Sequence, residues 1–496
     1  MKSTAITEKL LEAREYEARH SKEIPNDQRP VFHMYTPVGW MNDPNGFSMF
    51  KGSCHLFFQY HPYSTFWGPM HWGHYTTKDF VKWEHKPCAL APDMEYDKDG
   101  CFSGTALEED GKHVIMYTGV KETCEADGTN TVRQTQCIAI GDGENYTKCE
   151  NNPVITADLL PEGSSLVDFR DPKIWKDERG FWSLVGSKDK EGSGQLALFF
   201  SQDAIHWEFV KILDACHHEY GEMWECPDFF PLDGQQVLIV SPQFMEADGG
   251  EFHCGNNTVY FIGEYDSENQ SWSRKEAHQL DFGLDFYAAQ TMEAEDGRRI
   301  MVAWLQSWDT RLTPDNYAWS GMMTIPRELS IKNGCLVQKP VRELAAYHKN
   351  EVSYENYEIA CAQGEVQIPG VNGRIVDLSV RLKEGDFTKF QLAVAADEKR
   401  RTVITYDRAQ GLVTVDRSRS GIKKDFITTR SMKVMEQNGE LQMRILIDRN
   451  SIELFVNEGE QAMSTLIYTP SDANKIIWST DGSVLVDIEK HDIVVD

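Results

Sequence analysis

Four aromatic residues, Trp83, Tyr146, Trp207 and Trp272, lie 63, 61 and 65 residues apart, each just after a turn-forming stretch. Thr77-Lys78-Asp79-Phe80-Val81-Lys82-Trp83 is echoed by Ser201-Gln202-Asp203-Ala204-Ile205-His206-Trp207, and more loosely at Asp142 to Tyr146 and Asp266 to Trp272. A turn followed by an aromatic strand at a steady period is what four-stranded propeller blades produce, and this period leaves room for about five blades before residue 340. Turn–aromatic coincidences occur in any all-β chain, so the repeat alone leaves other all-β folds open.

The stretches between the repeats also read as strands. His55-Leu56-Phe57-Phe58-Gln59-Tyr60, His113-Val114-Ile115-Met116-Tyr117, Gln195 to Phe200 and Gln236 to Val240 are short apolar or alternating runs bounded by Gly, Asp and Asn. Helical composition is confined to about Thr4 to Ser21, and Pro25 and Pro30 end it. Beyond about residue 345 the texture changes to alternating strands such as Leu378 to Leu382, Thr402 to Tyr406 and Ser451 to Val456, which suggest a β-sandwich. With 496 residues the chain is too long for one ordinary core. The expectation is an all-β protein: a helical extension over 1–30, a five-bladed β-propeller over 31–345 and a β-sandwich over 346–496.

Charge narrows the class of ligand. Lysine plus arginine number 50 against 78 aspartate plus glutamate, a formal net charge of -28. Such a surface repels nucleic acid and anionic membranes, whereas a neutral sugar suits it. No apolar run of secretory or membrane-spanning length is present, and the 11 cysteines are scattered without disulfide or zinc spacing. A cytoplasmic protein with reduced thiols and no metal is expected.

Cleaving a glycosidic bond needs two carboxyl groups flanking it, one to protonate the departing oxygen and one to attack or activate water. Three acids sit in settings suited to such work. Asp43 lies in Trp40-Met41-Asn42-Asp43-Pro44-Asn45-Gly46, which composition alone reads as an Asx-turn closed by Gly46. Asp171 lies in Phe169-Arg170-Asp171-Pro172-Lys173, equally readable as a local ion pair. Glu225 lies in Trp224-Glu225-Cys226-Pro227-Asp228, where an apolar setting would favour the protonated carboxyl of a general acid, and a surface strand edge is the plainer alternative. Cys226 is equally readable as an influence on Glu225 or as an inert buried thiol.

Taken together, these motifs and their order resemble glycoside hydrolase family 32, the invertase and fructanase family. Phe58-Gln59-Tyr60, Trp67 to His74, Phe102-Ser103-Gly104-Thr105, Asp285-Phe286-Tyr287-Ala288, Ile325 to Leu329 and the C-terminal Asp448 to Asn457 extend the resemblance from about Phe32 to the end of the chain. The resemblance implies a five-bladed propeller followed by a sandwich, and a retaining β-fructofuranosidase acting on sucrose or short fructo-oligosaccharides without a cofactor. It implies Asp43 as nucleophile, Glu225 as acid/base and Asp171 as transition-state stabiliser. Trp40, Asn42, Gln59, Trp67, Phe102, Ser103 and Arg170 match positions lining the fructose pocket, with Asp285 and Trp304 as further matches. Sucrose 6-phosphate is an alternative substrate; it would call for cations at the pocket rim, for which Arg133, Lys173, Lys188 and Lys190 are candidates. Two other readings are an inverting furanosidase or xylosidase of a related propeller family, and a non-catalytic sugar-binding propeller. Oligomeric state and fructosyl transfer are not readable from the chain.

Overall fold

The structure, a computed structural model, describes residues 6–124 and 128–495. The start of the expected N-terminal helix, Thr4 and Ala5, lies outside them; the helix that is described spans Glu8–His20. Thr7 caps it by accepting from the Leu10 amide. Its buried Glu17 accepts from the Cys88 amide at 2.7 Å, and Arg14 donates to the Cys88 carbonyl at 2.8 Å. The helix thereby covers Trp83–Leu90, an edge strand that would otherwise expose unpaired backbone. Among the described residues no helix is long and apolar enough to cross a membrane.

Five antiparallel sheets form the blades of a propeller. Their innermost strands are Gly39–Phe50, Gly100–Glu109, Phe169–Asp177, Met223–Leu232 and Tyr287–Glu293, each contacting the next around a closed ring. Trp83, Tyr146 and Trp207 open the outermost strands of the first three blades, and Trp272 is the second residue of the fourth. The aromatic period is therefore the blade period. The fifth outer strand, Cys335–Pro340, keeps the spacing without the aromatic residue, so only four repeats show in the sequence. The ring closes where Trp319–Ser320, inserted within the fifth blade, pairs in parallel with Gly39 and Trp40 of the first.

Two further sheets, of six and five strands, form the C-terminal β-sandwich, whose core is built from alternating Val, Ile and Leu such as Leu378, Val380, Ile404, Ile445 and Leu454. Leu446, Phe455 and Ala462 of the sandwich pack in the same apolar cluster as Met41 and Ile325 of the propeller. Ion pairs reinforce this contact. His33 at the start of the propeller lies between Asp448 (2.8 Å) and Glu453 (2.7 Å), and Arg327 reaches Asp281 (2.9 Å) and Glu453 (2.5 Å), all fully buried.

Candidate active site

All five innermost strands lose register at the same end of the ring. The interruptions fall at Met41/Pro44, Phe102/Gly104, opposite Arg170 and Lys173, at Glu225/Asp228 and at Tyr287/Gln290. A β-bulge re-aims side chains out of the ladder, and the residues it frees here are Asn42 and Asp43, Ser103, Asp171, Cys226, and Ala288. Asp171, Cys226 and Ala288 hold positive φ (66°, 47° and 56°). The turn expected at Asn42 to Gly46 is thus a bulged inner strand. Gly46 is needed there because a Cβ would lie 2.6 Å from the Phe57 ring and because φ is +53°.

Asp43 is buried and accepts from Ser103 Oγ at 2.6 Å and from Asn42 Nδ2 at 3.1 Å. Trp40 Nε1 donates to Asn42 Oδ1 at 2.9 Å and so fixes which amide atom faces Asp43. Burial pushes the Asp43 carboxyl up, the charge of Glu225 adds to this, and the bonds from Ser103, Asn42 and Cys226 pull back, leaving it at about 6. Asp171 is fixed by its own amide donating to Thr118 Oγ1 (3.0 Å) and accepts from the Cys226 amide (3.0 Å). It too is raised, by burial first and by the charges of Glu225 and Asp43, against the pull of Arg170.

Glu225 does not occupy the apolar setting expected from its neighbours. Arg170 grips one of its oxygens through Nε (3.0 Å) and Nη2 (2.9 Å), and the Tyr287 hydroxyl donates to the other at 2.7 Å. Arg170 is held in turn by Asp168 at 2.9 Å. The Cys226 thiol faces the other two acids instead, at 3.6 Å from Asp43 and 3.7 Å from Asp171. Burial keeps that thiol protonated, well above its ordinary value. One sulfur therefore touches both carboxylates while Arg170 spans to the third: three acids from three blades converge.

The other expected residues divide. Gln59 is buried and donates to the Cys101 carbonyl at 2.9 Å, and Phe102 lies edge-on to Trp67, which is 49% exposed. Trp40, Met70, Phe102, Cys226, Tyr287 and Trp304 form one wall. Asp285 is not part of it. Its carboxylate is fully buried against the sandwich, paired with Arg417 and accepting from the Leu466 amide at 2.7 Å. Lys173 also leaves the rim: it is buried, pairs with Asp228 at 2.7 Å and donates to the Thr291 carbonyl at 3.2 Å. Lys188 sits between Asp168 (3.8 Å) and Glu222 (3.9 Å), and Arg133 and Lys190 are exposed.

Tyr287 and Trp308 were not anticipated. Tyr287 shares the Asp285-Phe286-Tyr287-Ala288 motif, but it opens the inner strand whereas Asp285 precedes it. Trp308 stacks on Trp40 with centroids 6.2 Å apart, and only its loop context, Gln306-Ser307-Trp308-Asp309, marks it in the sequence.

Comparison with known proteins gives a consistent picture. Residues 33–340 match the model of the glycosyl hydrolases family 32 N-terminal domain and residues 343–493 that of the family 32 C-terminal domain. A sucrose-6-phosphate hydrolase of Escherichia coli is 36% identical over 459 residues, covering 91% of this chain and 92% of that protein. A raffinose invertase of Escherichia coli is 35% identical, covering 93% and 94%. Among solved structures, a variant of a Bombyx mori GH32 β-fructofuranosidase in complex with sucrose superposes with a TM-score of 0.85 at 31% identity, covering 99% of both chains. The sucrose-6-phosphate hydrolase from Lactobacillus gasseri superposes at 0.84 with 27% identity, covering 100% of this chain and 98% of that one.

Proposed function

The chain belongs to glycosyl hydrolase family 32, and from that premise we propose that it is a retaining β-fructofuranosidase that releases the terminal fructosyl unit of sucrose. The observation carrying this reading is the convergence of Asp43, Asp171 and Glu225 at the bulged strand ends, with Arg170 and Cys226 joining them.

In this reading an Asp43 oxygen attacks the anomeric C2 of the fructosyl unit as the C2–O bond to the leaving group breaks. Glu225 delivers its proton to the departing oxygen, leaving a fructosyl ester on Asp43. Glu225 then takes a proton from water, whose oxygen attacks C2 and breaks the ester, so the configuration at C2 is kept. Asp171, rigidly held by Thr118 and the Cys226 amide, stabilises the sugar as charge develops on its ring. Asp43 must be ionised to attack, and its position at about 6 sets the acid limb of a bell-shaped pH profile. In the same reading the propeller over 31–345 supplies the chemistry, the sandwich over 346–496 braces it, and the enzyme works in the cytoplasm.

Sucrose 6-phosphate is the second reading, favoured by the names of the relatives and by Arg311, which lies against Thr65 and Phe66, next to Trp67 in the chain. That guanidinium packs 3.4 Å from the Phe66 ring centroid and has no carboxylate partner among the described residues. The pairing of Lys173 with Asp228 and of Lys188 with Asp168 and Glu222 favours the unphosphorylated sugar. Proton NMR of the first-formed fructose anomer, with kcat/KM compared for sucrose and its 6-phosphate, tests both points. Retention with sucrose as the better substrate supports the proposal; an inverted product or no release of fructose from either sugar would sink it.

A further inference from the structure

Phe244 combines two features that are each unfavourable for a phenylalanine. Its side chain is 62% exposed, and its backbone is left-handed at φ +58°. A single exposed aromatic needs no explanation, but a bulky residue at positive φ is a costly conformation that persists only where surroundings impose it.

The surroundings here do impose it. Gln243, just before, pairs with Met223, and its carbonyl accepts from the Glu222 amide at 2.9 Å. A Cβ on Gly221 would lie 2.3 Å from that carbonyl, so the neighbouring loop packs this tightly only with glycine there. Met245, just after, is buried and exchanges two backbone bonds with Gly255 at 2.8 and 3.0 Å. Pinned on both sides, the backbone turns the Phe244 ring outward just past the strand that pairs Ser241 with Glu225 and Gln243 with Met223. The same loop is tied to the next blade, since Asn256 donates through its amide and its side chain to Asp309 at 2.8 Å each. Asp309 follows Trp308, which is 37% exposed and lies over Trp40.

We propose that Phe244 is a specificity-determining residue, the platform for the pyranosyl ring of the leaving group. This rests on the fructosidase reading and adds the subsite beyond the scissile bond. The fructosyl unit is held deep, among Asp43, Asp171 and Ser103, so the departing sugar must leave past Glu225. The apolar C–H face of a pyranose packs on an aromatic face, and a ring fixed outward by its backbone offers that face at little entropic cost.

The test compares sucrose with methyl β-D-fructofuranoside, whose leaving group has no ring, in wild type, Phe244→Gly and Phe244→Tyr. Glycine suits the left-handed backbone, so the ring is removed without disturbing the loop. Phe244→Gly is expected to lower kcat/KM for sucrose about tenfold, mainly through KM, with the methyl fructoside unaffected and Tm unchanged or higher. Phe244→Tyr restores sucrose hydrolysis. Unchanged sucrose kinetics in Phe244→Gly, or equal losses on both substrates, would overturn the platform. A wild-type enzyme that cleaves neither substrate would overturn the fructosidase reading itself.

Discussion

Buried carboxylates occupy two regions of this molecule and are treated in opposite ways. At the propeller–sandwich contact, burial alone would raise Asp448 and Glu453, yet both are held below their ordinary range. Asp448 meets His33 and the Val31 and Phe32 amides; Glu453 meets Arg327, His33 and the Ile325 amide. At the active site, Asp43 and Asp171 are equally buried, but the donors to Asp43 are neutral, Asp171 has Arg170 as its cation, each feels the charge of Glu225, and both are raised. Full compensation produces a rigid, inert joint. Partial compensation leaves a charge whose remaining partners must come from a substrate, at a cost to stability. Asp285 marks the middle: paired with Arg417 it is still raised by burial, although it lies in the joint.

The largest effect that would break this comparison is on Asp43. Asp43→Asn is expected to lower kcat on sucrose by about 10⁴-fold or more while stabilising the fold. The folded carboxyl sits at about 6, above the ordinary value near 3.9, so wild type loses stability as pH rises between these values. The amide does not ionise. Its advantage, at most about 3 kcal/mol, should be full above pH 6 and vanish towards pH 4, as thermal melts at several pH values would show. An Asn variant no more stable than wild type at pH 7 would mean that Asp43 is as well compensated as Glu453.

The joint should respond in the reverse sense. Glu453→Gln leaves Arg327 and His33 facing a neutral group, and a loss of about 3–5 kcal/mol is expected. Activity per folded molecule should stay near normal, a separation that unfolding titrations and active-site counting can establish. His33 sharpens the point. Burial would lower it, but bonds to Asp448 and Glu453 outweigh this and raise it to about 9, as expected when both ring nitrogens face carboxylates. Because the folded value lies above the unfolded one, its contribution is complete below pH 6.5 and is lost as pH rises through 9. His33→Gln should flatten the alkaline fall in Tm.

The smallest effect is on Ser103. Its hydroxyl holds the Asp43 carboxyl down, so Ser103→Ala should move the acid limb of kcat/KM upward by about half a unit to one unit. An unmoved limb would assign that limb to another group.

Much of this arrangement was legible in the chain because it is local. The blade period showed in Trp83, Tyr146, Trp207 and Trp272, since each outer strand opens after its own turn. The acids stood out because a bulged inner strand needs distinctive neighbours such as Pro44, Pro172 and Pro227. Pairings across the molecule were not legible. Asp285 looks like a pocket residue until Arg417, 132 positions away, is seen to claim it. Glu225 reads as an acid in an apolar frame because Arg170 and Tyr287, its partners, come from other blades. Lys173 reads as a rim cation because sequence does not say which end of a strand faces the substrate.

The most direct test of the contrast is to trap the intermediate. Glu225→Gln, given a fructoside with a good leaving group and quenched with acid, should carry one fructosyl unit of added mass on the peptide containing Asp43. Mass on a peptide bearing a different acid, or no adduct alongside steady turnover, would contradict the claim that the under-compensated Asp43 is the group that attacks.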